Sequence, residues 1–250
     1  MSAVVLALLA GAVAGLALGG MGGGGSVLAV PALIHLLGFS PVEATTASLV
    51  IVAITTATSL YAHGRDGNVR WRPGLLFAGA GLLPAVAGGL LATRLPEVLL
   101  TAAFSVLAAV AAVGMLRARD DAPPAGDPSA LRAAGAGAGL GAVTGLLGVG
   151  GGFLGVPALV RVVGLPIRAA VGTSLLVISL TSTASLAARG GTLAGLDWSV
   201  VGPFTAAAVL GAWDGRRLAA RVSGRTVRRV FGVALLAVAA LMLVDALVMR

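Results

Sequence analysis

The chain has 250 residues, 58% of them hydrophobic and only 10% charged, and a mean hydropathy of +1.04. Soluble chains carry roughly a quarter charged residues, so a water-soluble globular protein is excluded and most of the outer surface must face lipid. The net charge of +8 comes from 17 basic residues, all arginine and scattered over short loops, a pattern of topology signals and headgroup anchors rather than a nucleic-acid surface.

Residues 3 to 38 come first. They are apolar but too long for one span, and GGMGGGGS interrupts them. A secretory signal peptide is the first alternative, but the stretch has no basic n-region and no convincing small-residue cleavage site. Gly11, Gly15 and Gly19 share one helical face, a spacing that lets two membrane helices approach closely. A half-helix should start after Gly25, close to Pro31, because proline bends a helix interior. Three full spans follow, at 43–62, 73–93 and 97–116, and then the linker RARDDAPPAGDPSAL from Arg117 to Leu131. The second half opens on 132–164, interrupted by GLLGVGGG, and continues with spans at 169–188, 198–215 and 230–249.

The two halves are a tandem duplication. A shift of 126 places Gly11, Gly15, Gly19, Gly22, Gly24 and Gly25 on Gly137, Gly141, Gly145, Gly148, Gly150 and Gly151. The same shift pairs Val30-Pro31-Ala32-Leu33 with Val156-Pro157-Ala158-Leu159, and Ser48-Leu49 with Ser174-Leu175. After one inserted residue it pairs Trp71 with Trp198 and Phe104 with Phe231. If the second broken segment turns back as a re-entrant hairpin, 14 arginines fall on one side and 3 (Arg94, Arg189, Arg250) on the other; if it crosses, the split is 8 against 9. The positive-inside bias selects the hairpin there, and repeat symmetry extends it to the first segment. The fold class expected is an all-α integral membrane protein of two inverted repeats, each a glycine-broken hairpin followed by three transmembrane helices. The repeats cover 1–117 and 132–250, with a cytoplasmic linker at 118–131. Trp71 and Trp198 then anchor equivalent helices at opposite interfaces.

Broken backbone at membrane depth is tolerated only where it is buried in protein or lines a cavity, so the glycine loops are the first candidates for function. Inverted repeats with discontinuous helices are a recurring transporter design, with the substrate near the midplane where the repeats meet, and the two hairpin tips are expected to meet there. Free N–H groups and the positive dipole end of each half-helix favour an anion, although glycines that serve only close packing would look the same. GGMGGGGS is no nucleotide loop, since no Lys-Ser/Thr follows. Ser48, Thr55 and Ser59 form a hydroxyl stripe repeated as Ser174, Thr181 and Ser185; such hydroxyls can donate to an anion or bond the preceding turn. The substrate-binding set is therefore Gly23, Gly24, Gly25, Ser26, Thr45, Thr46, Ser48, Gly150, Gly151, Gly152, Thr173 and Ser174. His35 and Arg161 read as peripheral, Asp214 as a surface partner of Arg216 and Arg217, and Glu43 as a residue favouring a helix start. With no Cys, two His and no paired carboxylates, no catalytic or metal site is expected, and no cofactor.

The motif Gly148-Val149-Gly150-Gly151-Gly152, then Pro157, then Thr173-Ser174-Leu175, occurs again as Gly22 to Gly25, Pro31 and Ala47-Ser48-Leu49. This duplicated pattern resembles the sulfite exporter TauE/SafE family of bacterial membrane transporters. The first copy departs from it at Met21, Ser26 and Ala47. The resemblance implies secondary transport of sulfite, sulfonates or related organosulfur anions across the cytoplasmic membrane, with an anion channel as the alternative. The expected partners are a small anionic substrate and the lipid bilayer, not nucleic acid, and a homo-oligomer stays an open option. Most loop arginines are expected on the cytoplasmic side.

Overall fold

The computed structural model describes residues 3–21, 26–117, 130–148, 152–219 and 224–248. Within them the chain is all-helical: α1 (Ala3–Met21), α2 (Ser26–His35), α3 (Pro41–Arg65), α4 (Trp71–Ala92), α5 (Glu97–Arg117), α6 (Ala130–Leu147), α7 (Gly152–Arg161), α8 (Ile167–Ala187), α9 (Gly190–Ala194), α10 (Trp198–Ala219) and α11 (Gly224–Val248). By length and composition α3, α4, α8 and the Glu97–Gly114 part of α5 can each cross a membrane. Their polarity is inside-out. Leu76, Leu83 and Val110 are exposed, while Thr46, Ser48, Thr55, Thr173, Thr181 and Ser185 are buried. That is the arrangement a lipid surround imposes on a multi-pass protein, with Trp71 and Trp198 half-exposed as the first residues of α4 and α10.

The expected half-helices do begin after the glycine loops, at Ser26 and Gly152, but not close to the prolines. Pro31 and Pro157 lie five residues inside α2 and α7, so each helix gives up the hydrogen bond that a non-proline residue would have made there. The short α9, GGTLA, has no counterpart among the expected spans.

Glycine stripes fix the course of the broken segments. A methyl group added at Gly11, Gly15 or Gly19 would overlap the backbone of Phe204, Ala208 or Ala212, so α1 runs parallel to α10. In the other half Gly137, Gly141 and Gly145 press on Phe77, Gly81 and Ala85, so α6 runs parallel to α4. The close-packing reading of these stripes holds, and the partner of each is a helix of the other repeat. α8 also runs parallel to α4, with Gly74 on Thr173, Gly81 on Thr181 and Gly89 on Ser185. Because α6 and α8 share a direction, the chain between them has to return. The ends of α1, α3 and α10 likewise converge around Gly19, His63 and Trp213, so α2 and the turn after it return as well.

α3 and α8 pack antiparallel. Arg189, just past α8, reaches Thr45 in the first turn of α3, while Gly172 near the start of α8 abuts Asn68, three residues past the end of α3. α5 pairs with α11. At the start of α3, Ser40 and Glu43 form a reciprocal cap: the Glu43 N–H donates to Ser40 Oγ (3.4 Å) and the Ser40 N–H donates to Glu43 Oε2 (3.0 Å), with Pro41 in the first turn. Ser40→Ala is expected to cost about 1 kcal/mol, seen as a fall of about 2–4 °C in the melting temperature of the detergent-purified protein. His35 and Arg161 are exposed, and Asp214 meets Arg217 at 3.8 Å as an exposed pair.

Candidate functional site

Gly23, Gly24, Gly25, Gly150 and Gly151 lie outside the described residues, and Ser26 and Gly152 are the first residues of α2 and α7. The ends of α1 and α6 that lead into the two loops lie apart, whereas α2 and α7, which follow the loops, are in contact. Gly19 lies beside His63 near the end of α3, and Gly148 lies against the Thr45 backbone near its start. Those positions on α3 are about 27 Å apart along the axis at 1.5 Å per residue. α1 and α6, at 19 and 18 residues, are nearly full spans rather than half-helices.

The remaining expected residues divide accordingly. Thr173 sits at the α3–α4 connection, where its Oγ1 accepts the Arg70 N–H at 2.9 Å and supplies the cap that Arg70 itself does not. Ser174 Oγ donates to the Val171 carbonyl at 2.8 Å. Midway along the two helices, Thr55 and Thr181 are spent on the preceding turn, donating to the Ile51 and Val177 carbonyls. Each of these four hydroxyls bonds a backbone group of the protein itself.

At the other end Thr45, Thr46 and the end of α6 come together around a residue the sequence reading had placed among the loop cations, Arg189. It is 1% exposed. Its Nη1 donates to Thr45 Oγ1 (2.7 Å) and Thr46 Oγ1 (3.2 Å), and its Nη2 donates to the carbonyls of Gly145 and Leu146, the latter at 3.2 Å. Thr45 and Thr46 can accept because each hydroxyl donates its own proton to the Val42 carbonyl, at 3.0 and 2.8 Å. Ser185 Oγ shares the Gly145 carbonyl at 3.4 Å. A guanidinium at the last carbonyls of α6 is well placed against the negative end of that helix dipole.

Every partner of Arg189 is neutral, and no carboxylate is buried among the described residues. Arg189 follows the last residue of the α8 span, and burial pushes its pKa down to about 10, which leaves it a cation at neutral pH. Four buried polar atoms, on Arg189 and on α3, α6 and α8, have no hydrogen-bond partner: Arg189 Nε, Ser48 Oγ, Thr144 Oγ1 and Ser182 Oγ. The shift of 126 that equates the repeats pairs Arg189 with His63, which is the signal by which the position could have been found. His63 lines a small cavity with Leu18, Gly19, Ser59, Leu175 and Trp213.

Residues 7–242 match a family model described as Sulfite exporter TauE/SafE. The chain is 33% identical over 247 residues to a probable membrane transporter protein of Xylella fastidiosa (strain Temecula1 / ATCC 700964), an alignment that covers 94% of this chain and 93% of the relative. A protein of the same description from Xylella fastidiosa strain 9a5c matches to the same extent.

Proposed function

The chain belongs to the sulfite exporter TauE/SafE family, and on that footing we propose that this membrane transporter carries small anions across the bacterial cytoplasmic membrane by alternating access, with sulfite, sulfonates and related organosulfur anions the first candidates. The observation that carries the anion reading is the set of polar groups buried among the described residues, which are hydroxyls and one arginine, with no aspartate or glutamate. Hydroxyls can donate to any ligand, but a guanidinium without a carboxylate selects for negative charge. The antiparallel course of α3 and α8 supports inverted repeats, and the returning segments support hairpins whose ends lie on one side. The arginine bias supports a cytoplasmic position for that side in the second repeat.

The moving bodies in this reading are not the two halves of the sequence. α4 packs with α6 and α8, and α7 joins them through the cluster of Phe77, Leu140, Leu159 and Val177. α1, α2, α3 and α10 share the larger cluster that includes Ala14, Val30, Ile51 and Phe204. Each body takes one helix from the opposite repeat, and the α3–α8 contact lies between them.

The test is counterflow of radiolabelled sulfite in liposomes holding the purified protein, with unlabelled sulfur and non-sulfur oxyanions as competitors. Saturable exchange is the expected result, and the order of competition names the substrate class. Steady conductance in planar bilayers without saturable exchange would replace the carrier with a channel.

A further inference from the structure

The charge around Arg189 does not close on the protein's own groups. A guanidinium carries a full positive charge at any physiological pH, whereas the C-terminal end of α6 offers about half a negative charge. The side chain is 1% exposed, so bulk solvent contributes little. Buried charges are ordinarily matched by a counter-charge, and here the four acceptors are two hydroxyls and two carbonyls.

The unused donors lie on turns that adjoin this network. Arg189 Nε has no acceptor. Ser48 lies one turn beyond Thr45 on α3, Thr144 adjoins Gly145 on α6, and Ser182 lies one turn before Ser185 on α8, and the hydroxyl of each is buried without a partner. So each of these orphaned atoms lies on Arg189 itself or within a helical turn of a residue already in its network. Leaving a buried donor unpaired is costly, and three hydroxyls together with the free Nε of one uncompensated cation suit a small oxyanion that brings both the charge and the lone pairs.

The repeat-related corner lacks this equipment. The shift of 126 carries Arg189 to His63, Thr144 to Leu18, and Thr45-Thr46 onto Val171-Gly172. The fixed cation, the hydroxyl pair and the extra donor are all lost there, so the duplicated fold offers one such site rather than two.

We propose that Arg189 is a direct ligand of the transported anion, in a single oxyanion site that it forms with Ser48, Thr144 and Ser182 beside Thr45 and Thr46. This rests on the anion-transport reading above. The site belongs to the end of α8, α6 and the start of α3, and not to the middle of the α3–α8 contact.

The experiment uses the full chain in detergent, titrated with sulfite, thiosulfate, methanesulfonate and sulfate by calorimetry and thermal unfolding, alongside liposome uptake. Wild-type protein should show one saturable site and a melting temperature that rises with anion concentration. Arg189→Gln should abolish the rise, and Arg189→Lys, which keeps charge but loses the planar fork, should weaken binding by about tenfold. Ser48→Ala should weaken it by about three- to tenfold without lowering the anion-free melting temperature, because Ser48 Oγ has no partner to lose. A residue that only caps α6 would behave differently: Arg189→Gln would lower the anion-free melting temperature yet keep the anion-induced rise and the KM, and that result overturns the proposal. Should Arg189→Gln fail to fold, wild-type affinity in both Ser48→Ala and Thr144→Val overturns it equally. Uptake by the wild type with an unchanged KM in Arg189→Gln removes this site and keeps anion transport. A saturable thermal shift that Arg189→Gln abolishes, without any uptake, keeps the site and removes transport.

Discussion

Gly141→Leu is expected to yield no monodisperse protein in detergent, whereas Gly139→Leu, two residues away on the same helix, is expected to fold. A Cβ at Gly141 would fall inside the Gly81 backbone, while a Cβ at Gly139 meets nothing within 4 Å. Overpacking a core that can shift its side chains costs about 1–3 kcal/mol. The neighbour here is backbone, and the same pair of helices touches again at Gly137 and Gly145, so relief at one point means separating α4 from α6 along most of their length. Gly139→Leu adds only the better helix propensity of leucine, worth up to about 1 kcal/mol. Size-exclusion chromatography and thermal unfolding of the two variants side by side check this. A well-folded Gly141→Leu protein would show that α4 and α6 do not pack as described.

Gly148→Ala is expected to lose most transport and to be less stable by clearly more than Gly38→Ala. Both glycines have positive φ, +65° and +72°, so both substitutions incur a left-handed penalty of about 1–2 kcal/mol. They differ in what the new methyl meets. At Gly38 there is nothing within 4 Å, but at Gly148 the methyl would strike the backbone of Thr45. The excess of one destabilisation over the other therefore reads the contact between the second glycine loop and α3. Moving Thr45 also moves an acceptor of Arg189, so uptake should fall in Gly148→Ala and persist in Gly38→Ala. Equal melting temperatures for the two variants would mean that Gly148 matters only for its backbone angle.

Much of the architecture was readable because it was written twice. Glycines recurring at a fixed shift marked the duplication and the broken segments, and apolar runs between Pro, Gly and Arg clusters placed six long helices to within a few residues, apart from the start of α11 at Gly224. Glu43 was recognisable as a helix-start residue because its partner is local, three positions back. What failed to show depends on distance in sequence. Arg189 looked like any loop cation before Gly190-Gly191, and its burial comes from partners 43 to 144 residues away. The repeats also part company there: α3 continues to Arg65, so His63 is helical, whereas α8 stops at Ala187 and frees Arg189 to turn inward. The lengths of the first arms did not show either, because apolar composition does not say where a helix stops short of a glycine run. Hydroxyls at helical spacing carry the same ambiguity, and Thr55 and Thr181 resolve it toward their own backbones.

The crossed packing of the first arms has a consequence for biosynthesis. α6 emerges from the ribosome after its partner α4 and can dock at once, but α1 waits for α10, whose matching residues are made roughly 190 positions later. At translation speeds of about 5–20 residues per second, that is a delay of about 10–40 s. During that interval the stripe of Gly11, Gly15 and Gly19 has no surface to close on, so the N-terminal helix is the part of this chain most dependent on the insertion machinery and most exposed to mispairing with another nascent protein.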